Sequence, residues 1–375
     1  MTLSLYELVG AEDRPLKPCC WRAPIALAHK GSKGGKMSMA RLKIIRQVIF
    51  LNVAALMLWA VVTQTSAQEK ITISYSALAP SVVSLWIPHE AGFFRKYGLN
   101  AEIILIESGS LTSQALAAGE IGIAHNAGAP AIIANASGSG ETIIMGLINS
   151  LEYSLIGTAK LKGMEDLKGK KIGVSRIGSS SHAAAAIALD HFKMDPSRDN
   201  ITFIQSGTMT TRVSGLKAGS IDATVVDPSF VPFLKREGFK DLGYLGEMGI
   251  PYQHEVLVSN RSYLKQHRDQ VLKAVKAVIE GIAFTAQERH APEVKRVLSK
   301  YLKFDAAKTE DAYKAVKSYA VRARKPYPTV EGVNALIRFF AKYNPAVAKI
   351  TAANVIDATL VEELDKSGFI DLLYK

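Results

Sequence analysis

Cysteine occurs only at Cys19 and Cys20, so the chain carries no thiol from residue 21 onward. Thiolate catalysis, cysteine-based zinc sites and disulfides are thereby ruled out for the body of the protein. A strong charge of one sign is missing as well, although the formal net charge of +12 suggests otherwise. Residues 1–67 hold nine of the 46 Lys and Arg but only three of the 34 Asp and Glu, a surplus of +6. The other 308 residues carry 37 basic and 31 acidic groups, again +6, which is thin over that length for a nucleic-acid partner. Catalytic signatures are scarce too: there is no Gly-x-Ser-x-Gly, no His-Glu-x-x-His and no phosphate-binding loop. The eight histidines are scattered, and no metal or cofactor site stands out. With 48 % hydrophobic and 21 % charged residues the composition is that of a globular protein, not of a disordered or fibrous one.

The one long apolar run lies near the start. Arg41, Lys43 and Arg46 precede residues 48–62, which are interrupted only by Asn52. Thr65 and Ala67 then supply small residues at −3 and −1 of a cut after Ala67. A basic start, an apolar stretch and a small-residue cut make 37–67 a secretory signal peptide. The run falls short of the roughly 20 residues that span a bilayer. Residues 1–36, without periodicity and ahead of Met37 and Met39, read as a mis-assigned start or a disordered extension. The mature chain, from Gln68 to Lys375, is long enough for about two domains.

That body alternates strands and helices. Residues 71–75 read as a strand, 81–97 as a helix ending at Gly98, and 101–106 as a near-continuous apolar strand covered on both faces. A helix at 108–118, closed by Gly119, and a strand at 121–124 follow. The pattern recurs as a strand at 171–175, a helix at 182–192, and strands at 201–204 and 223–226. Ser206-Gly207-Thr208 echoes Ser108-Gly109-Ser110 at an offset of 98, and Gly219 echoes Gly119 at an offset of 100. Two α/β halves in tandem imply two lobes built on parallel βαβ units. After about residue 255 helices dominate, with Val271, Val275, Val278 and Ile282 on one face and further helices at 305–323, 329–343 and 357–364.

Four loops join strand ends to helix starts: Ser76 to Ser81 with Leu78 between them, Ser108 to Ser110, Gly178 to Ser181, and Ser206 to Thr208. Each offers backbone N–H groups and hydroxyls at the positive end of a helix, either as a cradle for a small anion or simply as a cap. Ligands of open α/β sheets bind beyond the carboxyl ends of the strands, so these loops converge on an interlobe cleft. His125, Asn126 and Asp227 stand at strand ends, and Arg176 is the only arginine inside the loops. His254, near the exit of the second lobe, reads as a solvated loop residue, with a place facing the cleft as the alternative. Trp86, Phe93 and Phe94, at helical spacing, read as core.

Three segments carry a family resemblance: Ala91-Gly92-Phe93-Phe94-Arg95-Lys96-Tyr97-Gly98-Leu99, Ala117-Ala118-Gly119-Glu120-Ile121-Gly122-Ile123-Ala124, and Asp166-Leu167-Lys168-Gly169-Lys170-Lys171-Ile172-Gly173-Val174. In this order, and following an export signal, the chain resembles the nitrate/sulfonate/taurine and thiamine-precursor group of ABC-transporter substrate-binding proteins. The resemblance implies an α/β, type II periplasmic-binding-protein fold: two lobes, a hinge and a helical C-terminal return. Lobe one is expected at 69–157 plus 254–375 and lobe two at 158–253. It implies capture of a small molecule in the periplasm, delivery to an ABC permease with its cytoplasmic ATPase, a monomer, and no catalysis, cofactor or metal. The ligand positions it implies are Ser81, Ser108, Gly109, Ser110, Asn126, Ser179, Ser180, Thr208 and Asp227; Leu78, His125, Arg176, Ser181 and Gly207 join them from the loop reading. Asp227 would repel a bare anion such as nitrate. A ligand with both an amine or ring nitrogen and an acidic end satisfies Asp227 and Arg176 together, which favours taurine-like, amino-acid-like or pyrimidine-like molecules. A sensor docking on a signalling receptor, or an enzyme on the same fold such as a thiamine-pyrimidine synthase, is the alternative.

Overall fold

Ten strands appear in a computed structural model that describes residues 68–375 and, ahead of them, only positions 39, 43, 46, 47 and 50. The expected signal peptide and the stretch before it therefore lie outside the described residues. The strands are β1 (Glu69–Tyr75), β2 (Leu99–Leu105), β3 (Ile123–Ala127), β4 (Glu141–Ile148), β5 (Ser154–Gly157), β6 (Lys171–Val174), β7 (Thr202–Gln205), β8 (Ala223–Val226), β9 (Lys240–Tyr244) and β10 (Glu255–Asn260). They form two five-stranded sheets, β2-β1-β3-β10-β4 and β7-β6-β8-β5-β9. In each sheet the first three strands run parallel, and a strand arriving from the other lobe inserts antiparallel: β10 in the first and β5 in the second. The chain crosses between lobes twice, at 149–153 and 245–254. This is the type II periplasmic-binding-protein topology.

The sheets refine three expectations. Ser154–Gly157 pairs in the second sheet, so the strand content of lobe two begins before residue 158. The helix expected at 81–97 is three pieces, Pro80–Val82, Val83–Glu90 and Phe93–Lys96; the break between the last two falls at Gly92, which adopts φ +77° and turns the chain out of helical geometry. The helices Gly109–Ala118 and Met209–Ala218 correspond at an offset of 100 along their whole length, each closed by a left-handed glycine, Gly119 and Gly219. The N-terminal caps that match are therefore Ser108 and Thr208, and the Ser-Gly echo at 98 is out of step with the fold.

Burial follows the pattern the sequence sets out. Trp86 is fully buried, stacked on Tyr301 at 4.5 Å and edge-on to Tyr75 at 5.8 Å. Val271, Val275, Val278 and Ile282 of the Arg268–Ala286 helix are buried in the same core. The helical return also reaches the second lobe. Phe304 meets Phe230 edge-on at 5.3 Å, and the Lys308 ammonium sits 3.8 Å over the Phe233 ring. Among the described residues no helix is long and apolar enough to cross a membrane.

Candidate functional site

Between the two sheets lies a cavity of about 270 Å³, lined from both lobes and from both crossovers. That is far more than the roughly 10–15 Å³ a single water needs, and it is on the scale of a small organic ligand. Of the fourteen residues the sequence nominates, ten line it: Leu78, Ser81, Ser108, Gly109, Arg176, Ser180, Ser181, Gly207, Thr208 and Asp227. Ser110, His125, Asn126 and Ser179 stand behind that lining. His254, expected in solvent, is buried and faces the cavity.

The lobe-one loop is held in an unusual conformation. Ser108, 5 % exposed, takes φ +94°, a region that side chains seldom occupy. Its hydroxyl pairs with Ser110 Oγ at 2.9 Å and leaves the Gly109–Ala118 helix without a side-chain cap, so the leading N–H groups of that helix end at the cavity. Asn126 supports this turn from behind. Its Nδ2 donates to Gly109 O at 3.1 Å and to Ser113 Oγ at 3.3 Å, and Ser113 Oγ donates to Glu141 Oε2 at 3.1 Å. A Cβ on Gly109 would come within 2.5 Å of Asn126 Oδ1 and 2.6 Å of Pro130, both packed in place. Gly109→Ala is therefore expected to destabilise the fold by about 1–3 kcal/mol through overpacking. It should also weaken ligand binding at least tenfold by pushing the helix terminus aside; thermal denaturation and a binding titration read the two effects.

Glu141, fully buried, closes the supporting network, and burial raises its carboxyl to about 8, so it is protonated at neutral pH. A folded-state value above the unfolded one means that stability is fully present below the ordinary carboxylate range and falls as the pH rises towards 8. Glu141→Gln keeps an acceptor for Ser113 and removes this slope. It is expected to stabilise the protein by on the order of 1–2 kcal/mol at pH 8 and to change little at pH 4.5. Denaturant titrations at the two pH values measure the difference.

In lobe two the hydroxyls of Ser179 and Thr208 are spent as helix caps, accepting from His182 N–H and Thr211 N–H. The charge is supplied by a residue the loop reading passed over. Arg212, 4 % exposed, lines the cavity from the Met209–Ala218 helix. Its Nε donates to Thr224 Oγ1 at 3.0 Å, one terminal nitrogen to Gly207 O at 3.0 Å and the other to Val225 O at 3.2 Å. Three of its five N–H donors are thus committed to the protein and two remain. Among the described residues Arg212 makes no ion pair, and burial lowers its guanidinium to about 10. Arg176, by contrast, is exposed at the cavity rim.

Carboxyl groups line the same cavity. Asp227 Oδ1 is held by Ser229 N–H at 2.9 Å and Ser229 Oγ at 2.6 Å, which leaves Oδ2 for the cavity. Burial raises the Asp227 carboxyl, and the nearby charge of Glu152 adds to the rise. Glu255, at the start of β10, is raised to about 8 by burial with Asp227 contributing. Glu152 is already engaged: Arg322 and Ser150 donate to Oε1, and Tyr244 donates to Oε2. Among the described residues the cavity thus offers one buried, unpaired cation and two buried acids that no Lys or Arg neutralises. Among the described residues no cluster of His, Cys, Asp and Glu could hold a metal ion.

A two-lobed α/β frame with its cavity at the lobe interface and inward-facing polar side chains defines the periplasmic-binding-protein class. The chain belongs to the NMT1/THI5-like family, whose model matches residues 79–291. A Brucella abortus chain that carries the name of a binding protein is 28 % identical over 236 residues, covering 62 % of this chain and 71 % of its own length. The alkanesulfonate-binding protein SsuA of Xanthomonas axonopodis, bound to MOPS, superposes with a TM-score of 0.62 at 17 % identity, over 78 % of this chain and 99 % of its own. The periplasmic nitrate-binding protein NrtA of Synechocystis gives 0.63 at 15 % identity, over 80 % and 88 %. These likenesses carry the fold.

Proposed function

We propose that the protein is the exported solute receptor of an ABC importer and that its ligand is a small amphoteric molecule with an acidic group at one end and a protonated amine or amidine at the other. The observation that carries this reading is the pairing, within one interlobe cavity, of Arg212, which has two uncommitted N–H donors and no counter-charge, with Asp227 and Glu255. A buried unpaired guanidinium is costly until an anion meets it, and a buried acid is costly until a cation or proton does. An amphoteric ligand answers both at once. A bare anion such as nitrate would answer only Arg212 while facing Asp227. Names of relatives, including an ABC transporter periplasmic binding protein of Brachyspira hyodysenteriae, support delivery to a membrane permease. The signal-like segment at 37–67 supports export. Amino acids, aminosulfonates such as taurine, and aminopyrimidines that also carry an acidic group are the ligand classes that fit; Ser108, Gly109, Ser180 and Ser181 would complete the shell, with Arg176 at the rim. Closure of the lobes presents the loaded monomer to the permease, and the ligand leaves unchanged.

A thermal-shift panel of these compounds, with nitrate as comparator, tests the reading. A ligand at about 100 times its Kd should stabilise the protein by roughly 2.7 kcal/mol, a rise of several degrees. A response confined to nitrate would overturn the amphoteric reading, and chemical turnover of a hit would overturn the carrier reading.

A further inference from the structure

Glu255 enters the cavity between two buried histidines, His125 and His254. The hydrogen atoms around it can be assigned by donor counting. Ser84 Oγ donates to Ser81 O at 3.1 Å, so its lone pairs face His125 Nε2, also at 3.1 Å, and that nitrogen must bring the hydrogen. His125 is 1 % exposed and burial lowers its imidazole to about 4, so at neutral pH the ring is neutral and holds a single N–H. Nδ1 is then a bare acceptor. It is buried, has no hydrogen-bond partner, and lies 3.4 Å from Glu255 Oε2, itself an acceptor when ionised. On the other side of the carboxyl the arrangement is reversed. His254 Nδ1 accepts from Glu152 N–H at 3.1 Å, which leaves its hydrogen on Nε2, 3.6 Å from Glu255 Oε1, and Ser81 Oγ donates to the same oxygen at 3.4 Å. Oε1 therefore faces donors and Oε2 faces an acceptor. Two buried acceptors face each other stably only with a hydrogen between them.

We propose that, in the ligand-free cavity, Glu255 Oε2 carries a proton directed at His125 Nδ1, and that the ammonium group of the ligand takes that proton's place on binding. The second half rests on the amphoteric reading above; the first stands without it. The remaining titratable groups facing Glu255 are Asp227 at the end of β8, Tyr153 from one crossover and Tyr252 from the other. None is a cation, so among the described residues nothing but a proton neutralises the carboxylate. Glu255 then determines specificity: it admits a cationic group and discriminates against a neutral group of the same shape. The exchange balances, with one proton leaving Oε2 for solvent as one ammonium enters.

Nitrogen-15 NMR of the histidine rings together with infrared spectroscopy of the carboxyl groups tests the first half on ligand-free protein. The expected result is a bare Nδ1 on His125 and a protonated-acid carbonyl band at pH 7 that Glu255→Gln removes; Glu141 keeps its own band in that variant. Gln donates to Nδ1 in place of the acid, so the variant retains the fold. A hydrogen on His125 Nδ1, or an infrared band unaltered by Glu255→Gln, overturns the proposal. The second half is read with taurine against isethionate, which replaces the amine by a hydroxyl, and with β-alanine against 3-hydroxypropionate. The amine member of a pair should abolish the Glu255 band, release one proton per site and bind at least tenfold more tightly than its hydroxyl partner. Amine binding that leaves the band intact overturns the exchange. If no pair binds while the ligand-free proton is found, the amphoteric reading has failed and the proton assignment stands.

Discussion

Arg212→Met is expected to weaken ligand binding by a hundredfold or more while changing fold stability by less than about 2 kcal/mol. The binding loss follows because the ligand's acidic group would be left buried against the Met without a counter-charge, and removing one partner of a buried charged contact costs about 2–5 kcal/mol. The small stability effect is the balance of two opposing contributions. Gly207 O and Val225 O each lose a charged donor, at about 1–3 kcal/mol apiece if left unpaired. Against this, burial lowers the guanidinium to about 10, and lifting that penalty returns about 3 kcal/mol. Met fills most of the volume, and Thr224 Oγ1 still donates to Gly173 O at 2.7 Å. Urea titration with an unchanged m-value, together with calorimetric binding, separates the two effects. A stability loss well above 2 kcal/mol with binding intact would make Arg212 a strut of β8 and remove it from the site.

Asp227→Asn is expected to give the complementary phenotype. Asn keeps an oxygen for Ser229 N–H, so the short Pro228–Phe230 turn and its contact with Phe304 should survive. The cavity loses half of its acidic pair, so affinity for an amine-bearing ligand should fall about 30- to 1,000-fold. Affinity for an analogue lacking the amine should rise, because the repulsion of its acidic end is gone. The wild-type pH profile carries the same signature. Asp227 is raised by burial and Glu255 to about 8, so both are neutral in acid and attract no cation there. Affinity for an ammonium ligand should therefore climb with pH through the neutral range, by up to about tenfold per unit for each proton released. The Glu255→Gln profile should be flatter.

The sequence and the structure agree where a local signal has a local cause. Gly119 and Gly219 end equivalent helices because only glycine turns there at φ near +70° without strain, and both stand out as echoes in the chain. The first three strands of each half are legible because βαβ units space them evenly. β4, β5, β9 and β10 carry no such signal: β4 is buried along its whole length, so it shows no alternation, and each inserted strand pairs with segments far away in sequence. The same distance hides half of the site. Asp227 is visible at a strand end, whereas Glu255 and His254 reach the cavity on β10 and the crossover before it, over a hundred residues beyond the lobe-one loops. Arg212 could have been found, since it is a charged residue within the buried stripe of its helix, at the position where the first half carries Thr112. Asn126 shows the opposite effect: it ends its strand as a ligand residue would, but the close approach of Gly109 draws its amide behind the loop.

Calorimetric titration of the best-responding amphoteric compound against its two half-molecules, one without the amine and one without the acid, separates the two ends of the recognition. A single site per chain is expected, with a loss of about a hundredfold or more for each half-molecule, because each leaves either Arg212 or the Asp227–Glu255 pair unanswered in a closed cavity. A half-molecule that keeps only the acid and binds as tightly as the whole would contradict this expectation.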